Sequence, residues 1–170
     1  ISEGNGYWDG WRVTTSYPDG TFGFEIGRPQ PSSSVGFFGC GPLPDHGWHH
    51  LAATWDRRTM RLYLDGLPVG SQLYAGAYTA GDMLRIGYAD AGWGSVRLDV
   101  DAVIVRRRAL SPAEVVASAY YYAHLSSAPV EALATAGQLR LDGKYSEAVP
   151  FFERVARDMS LHADVRATAV

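Results

Sequence analysis

The sequence predicts a mainly β fold: an antiparallel β-sandwich followed by a small α-helical hairpin. Three observations carry that expectation. First, the run from Gly47 to Gly66, GWHHLAATWDRRTMRLYLDG, reads as a strand ending at Asp56, an Arg57-Arg58 turn and a second strand. In the second strand Met60, Leu62 and Leu64 alternate with Arg61 and Tyr63, the period of a half-buried antiparallel strand with one wet face. Second, nineteen Gly and nine Pro supply the turns that short strands need. Third, the period changes from two to the helical one at Leu110.

The elements follow in order. Gly10 to Tyr17 alternates Trp11, Val13 and Thr15 with Arg12, Thr14 and Ser16. Pro18-Asp19-Gly20 is a turn, Pro presetting φ and Gly supplying the reversed one. Thr21 to Ile26 returns with Phe22, Phe24 and Ile26 on one face, and Arg28 to Ser34 is a loop. Val35 to Cys40 is a further strand, broken by Gly41-Pro42-Leu43-Pro44-Asp45. The central hairpin closes at Asp65-Gly66, because the favoured turn needs φ > 0 at both central residues. Leu67 to Ser71 pairs back, with Pro68 marking an edge or a bulge. Gly70 to Gly81 is loop-like, Met83 to Gly87 is a strand, and Ala89 to Ser95 is a loop carrying Trp93. Val96 to Val105 is expected as the longest strand, Val96, Leu98, Val100, Ala102 and Ile104 sharing a face.

Ser111-Pro112-Ala113-Glu114 is a capping box: Ser at the cap, Pro at the first helical position, Glu three residues after the cap. Leu110 and Val115 are spaced as the accompanying staple, and the helix is expected to reach about Tyr122. Ser126 to Pro129 reads as a linker. Val130 to Leu141 and Ser146 to Asp158 then carry helical spacing on either side of Asp142-Gly143-Lys144, and Ala163 to Val170 begins a third helix. The division expected is a sandwich over residues 1–125 and a helical segment over 129–170.

Composition narrows the function classes. The 46% apolar content suits a sizeable core, and a net charge of −3 argues against nucleic acid as a partner. No apolar run reaches the ~18 residues of a membrane span, so no membrane insertion is expected. Cys40 is the only cysteine, excludes an intrachain disulfide, and reads as a small buried hydrophobe.

Residues from about Gly10 to Tyr122 resemble the laminin-G-like family of concanavalin-A-type jelly rolls, including its pentraxin-like branch. GWHHLAATWD followed by MRLYLDG, then Leu84-Arg85-Ile86-Gly87, then LDVDAVIVRRRALSPAEV carry the likeness. The resemblance implies two packed antiparallel sheets with binding at a rim or concave face. It also implies strands upstream of Ile1, so the sandwich is expected to be N-terminally incomplete. Residues from about Pro129 to His162 resemble one tetratricopeptide repeat through Ala136, Leu139, Gly143, Tyr145, Ala148 and Phe152. They depart from it at Ala132, Ser160 and Pro150. Together these imply a larger multidomain protein, bacterial, and extracellular or periplasmic, whose helical segment meets protein partners.

The chemical candidates are few. The ligand-binding candidates are Trp93, Trp8, Trp11 and Tyr88, since an aromatic face matches the C–H face of a pyranose and loops on a rigid scaffold carry binding. Plugging the end of the sandwich is the alternative for the tryptophans. Asp99 and Asp101, two apart on the expected strand, would hold their carboxylates roughly 7 Å apart on one face. They suit calcium, or a glycosidase acid and nucleophile, or plain hydrogen bonding to a loop and pairing with Arg97. Asp82, Asp90 and Asp9 read as solvated loop acids, and Arg106-Arg107-Arg108 as solvated charge at a strand end. His49 and His50 read as packing residues and the hairpin as scaffold, which puts function in the Trp-bearing loops. The expected function is a non-catalytic module recognising glycan or protein, with no catalytic residue. The alternatives are a jelly-roll glycoside hydrolase using Asp99 and Asp101, and a purely structural spacer.

Overall fold

A computed structural model describes residues 1–3, 9–15, 20–28, 35–38, 41–43, 47–87, 99–121 and 125–169. The strands are β1 (Ser2–Glu3), β2 (Trp11–Thr15), β3 (Phe22–Ile26), β4 (Val35–Phe38), β5 (Leu51–Trp55), β6 (Thr59–Leu64), β7 (Leu67–Leu73) and β8 (Leu84–Arg85). Four helices follow: α1 (Pro112–Ala119), α2 (Ser127–Leu141), α3 (Tyr145–Arg157) and α4 (Ala163–Ala167). The fold is mainly β, in antiparallel sheets, with a short-helical C-terminal part. One sheet has the order β4-β3-β2-β1-β8 and the other β5-β6-β7. No helix among the described residues is long and apolar enough to cross a membrane.

Compactness divides the chain into two units. The first comprises Ile1–Pro44, Trp55–Met60 and Gln72–Ala109. Its five-stranded sheet pairs Trp11 with Ile26 and Val13 with Phe24, so the register of β2 and β3 follows their alternation. Phe24 and Ile26 are buried as that pattern requires. Glu25 is buried too: it pairs with Arg12 across the ladder and lies over Gly36, which faces it on β4. A Cβ at Gly36 would stand 2.6 Å from the Phe24 carbonyl oxygen, so only glycine fits there. The two residues of β1, too short to show any period, join β2 to β8.

The second unit comprises Asp45–Thr54, Arg61–Ser71 and Leu110–Val170. Asp65 and Gly66 both have positive φ, 49° and 82°, as the predicted tight turn demands. This turn sits among the helices. A Cβ on Gly66 would lie 3.3 Å from the Ala119 Cβ and from the Val116 Cα of α1. Gly137 of α2 closes on Pro68, where a Cβ would be 2.6 Å from the proline Cδ. Leu67 therefore shares a core with Val116, Tyr120, Val130, Leu133, Val155 and Val165. The predicted capping box is formed: Glu114 N donates to Ser111 Oγ at 3.3 Å, and Ser111 N donates to Glu114 Oε2 at 2.8 Å.

Four expectations need correction. Tyr63, expected on the wet face of β6, is 1% exposed in the central strand between β5 and β7. Ser127, Ala128 and Pro129 belong to the first turn of α2 rather than to a linker; Pro is at home there because its missing N–H has no partner to lose. The helix after the capping box ends at Ala119, capped by Tyr120. The long strand expected over Val96 to Val105 is not formed in its described part, residues 99–105. Alternation marks a face that a sheet could bury, yet a strand also needs a ladder, and none of the described strands pairs there. Val100 and Ile104 are 40% and 66% exposed. The Pro18-Asp19 turn, Cys40 and the loop from Ala89 to Ser95 lie outside the described residues.

Candidate functional site

The first unit gathers three aromatic side chains at the far turn of the hairpin. Trp55 closes β5, and its indole N–H donates to the Tyr74 carbonyl at 2.9 Å. The rings of Trp55 and Tyr74 stack with centroids 5.6 Å apart at 26°. Tyr78 tilts against Trp55 at 5.9 Å and 56°. The rings are half-buried, so part of each aromatic surface reaches solvent.

Short backbone links hold this cluster. Tyr74 N donates to the Arg58 carbonyl at 2.8 Å, seating the tyrosine beside the turn. The Tyr74 hydroxyl donates to the Ala77 carbonyl, and Gly76 lies so close under the ring that a Cβ would be 2.5 Å from Tyr74 Cε2. Gly10 N donates to the Thr79 carbonyl at 2.6 Å, tying the Tyr78 segment to the start of β2. The Tyr78 hydroxyl donates to the Glu3 carboxylate of β1. Burial, then that bond and the Glu3 charge, push the Tyr78 phenol well above its usual range, so it stays a neutral donor.

The turn itself adds charge. Asp56 Oδ1 accepts from the amides of Arg58 at 2.9 Å and Thr59 at 2.7 Å, which fixes the loop. Arg57 has φ 71°, and its guanidinium carbon stands 5.1 Å from the Trp55 ring centroid, a cation–π distance.

Of the sequence-derived ligand candidates, Trp8, Tyr88 and Trp93 lie outside the described residues. Trp11 is half-buried in β2, opposite Ile26 and Glu3. Asp99 and Asp101 are exposed on a segment that is not a strand, so no sheet sets their spacing. Among the described residues no three His, Cys, Asp or Glu side chains gather to hold a metal ion. Two exposed carboxylates do not by themselves make the six-to-eight-oxygen shell calcium takes. Sequence reasoning passed over Trp55, Tyr74, Tyr78, Arg57 and Glu3. The available signal was a run of aromatics, Trp55, Tyr63, Tyr74 and Tyr78, within 24 positions beside a charged turn (55 to 78 inclusive).

His49 and His50 anchor the other turn, in the second unit. Asp65 Oδ2 meets His49 Nδ1 at 2.8 Å, and Asp65 Oδ1 accepts from the His50 amide at 2.9 Å. The His50 ring reaches Ser118 Oγ at 3.3 Å through Nε2, and its buried Nδ1 has no partner among the described residues. Burial pushes the His50 imidazole down, partly offset by the Asp65 charge. Asp65 thus serves one ring and one amide of different residues.

Among curated proteins nothing matches the chain. Among solved structures it is similar to an S-layer domain-containing protein from Clostridium thermocellum. That match has 20% identity over 65% of this chain and 56% of the other, with a TM-score of 0.38. The chain thus spans little more than half the length of that structure. A family model described as the concanavalin A-like lectin/glucanases superfamily matches residues 1–116. That stretch covers most of the chain and all eight strands, and the chain belongs to the concanavalin A-like lectin/glucanase superfamily.

Proposed function

We propose that this chain is a non-catalytic recognition module whose ligand is a glycan. The observation that supports the reading is the Trp55–Tyr74–Tyr78 cluster. Its polar tips are engaged internally: the indole N–H with Tyr74, one hydroxyl with Ala77, the other with Glu3. What the cluster offers a ligand is aromatic carbon, which suits the C–H face of a pyranose. Family membership is compatible with both binders and hydrolases, so fold alone does not choose between them. On this reading the module belongs to a laminin-G-like protein working outside the cell. Its α2–α3 hairpin, which resembles a tetratricopeptide repeat, would meet a protein partner.

A glycan array run with and without calcium tests the proposal. Binding should fall at least tenfold (roughly 1.4 kcal/mol) in Trp55→Ala and Tyr78→Ala, with far-ultraviolet circular dichroism unchanged. An array with no bound glycan in either condition would sink it. Release of reducing ends from a bound polysaccharide, abolished by Asp99→Asn or Asp101→Asn, would replace it with the hydrolase reading.

A further inference from the structure

Arg57 occupies a backbone position that ordinarily goes to glycine. In the Asp56–Thr59 turn it is the first central residue, the Asp56 amide donates to the Thr59 carbonyl, and φ is 71°. A residue with a Cβ is strained there, whereas Gly is not. The strained position puts an exposed guanidinium over Trp55. No ion pair of Arg57 with a carboxylate is seen among the described residues. Arg58, also exposed, is its neighbour. In a chain of net charge −3 the turn carries two arginines against one carboxylate, Asp56, whose Oδ1 is engaged by the Arg58 and Thr59 amides. The aromatic tips being engaged, the Arg57 guanidinium is a strong donor beside the rings with no carboxylate partner among the described residues. Glu3, bound to the Tyr78 hydroxyl, and Asp9 set negative charge near Tyr78.

We infer that Arg57 reads a negative charge on the ligand, so that this site takes an acidic sugar, carboxylated or sulfated, in preference to its neutral counterpart. This rests on the glycan reading above. The sugar ring lies on the aromatic carbon with its anionic group toward Arg57, and the negative charge of Glu3 and Asp9 at Tyr78 disfavours placing it there. A guanidinium fork suits either anion through paired N–H donors.

The test is an array of matched acidic and neutral glycans, with carboxylated members also presented as methyl esters and sulfated members also desulfated. Expected results are at least tenfold stronger binding to acidic members, weakening with salt, and collapse of that preference in Arg57→Gly. That variant should melt no lower than the parent, because it relieves the backbone, so lost binding cannot be put down to lost folding. Loss on methyl esterification identifies carboxylate, and loss on desulfation identifies sulfate. Equal binding of acidic and neutral glycans, or an acid preference that survives Arg57→Gly, overturns the inference while leaving the glycan reading standing. No glycan bound at all overturns both.

Discussion

Replacing Gly137 with Ala should destabilise the protein, against the ordinary effect of that change. In a helix interior Gly→Ala normally stabilises by up to about 1 kcal/mol. Here the new Cβ would stand 2.6 Å from Pro68 Cδ and 3.3 Å from Leu67 Cδ2. Ordinary carbon contacts begin near 3.4 Å, so the first is an overlap of about 0.8 Å. The proline ring cannot rotate away, and both Pro68 and Leu67 are buried. Overpacking of this kind costs typically 1–3 kcal/mol. The propensity gain offsets part of that, leaving a net loss of about 1 kcal/mol, or roughly 2–4 °C in Tm for a chain of this size. Thermal unfolding followed at 222 nm measures it. The companion variant Pro68→Ala removes Cδ, so Gly137→Ala in that background should recover its stabilising sign. A Gly137→Ala single variant that melts at or above the parent temperature would refute the close approach of turn and helix.

Three further outcomes follow from the same geometry. Gly66→Ala should cost about 2 kcal/mol, since a positive φ strains any Cβ and this one also meets α1 at 3.3 Å; urea unfolding would show the shift in midpoint. Ser111→Ala should cost about 1 kcal/mol through loss of the cap, with Gly at that position costing less; equal melting of parent and Ala variant would count against the cap. Burial lowers the His50 pKa in the folded state, so the unfolded chain binds more protons between that value and its own, near 6.5. Stability from neutral His50 is therefore complete above about pH 6.5 and lost as pH falls toward the folded value. The Tm difference between parent and His50→Gln should shrink from pH 7.5 to 5, and a constant difference would contradict the burial.

Local chemistry was legible in this sequence, and long-range pairing was not. Asp65-Gly66 and the Ser111–Glu114 box are each decided by residues within four positions, and both form as read. The β2–β3 register follows alternation because two adjacent strands suffice to set it. The segment from Val96 shows the limit: alternation was present, but a ladder depends on what else the chain places alongside. The aromatic cluster is a stronger case. Trp55, Tyr78 and Glu3 are brought together by β1, a strand of two residues that no periodicity can reveal. Trp48, at 72% exposed, had no pattern to mark it, and no role for it follows from the structure.

The corner formed by Gly66, Leu67 and Pro68 has a consequence for inheritance. Its three residues are each fitted to a different helical neighbour: Gly66 to α1, Leu67 to the shared core, Pro68 to Gly137 of α2. A recombination event joining new sequence at Leu110 would deliver the hairpin without the surfaces that shaped it, leaving Leu67 uncovered and Gly66 held small by its positive φ alone. Hairpin corner and helices must therefore travel as one cassette, and a side chain at residue 137 is permitted only once residue 68 has lost its ring.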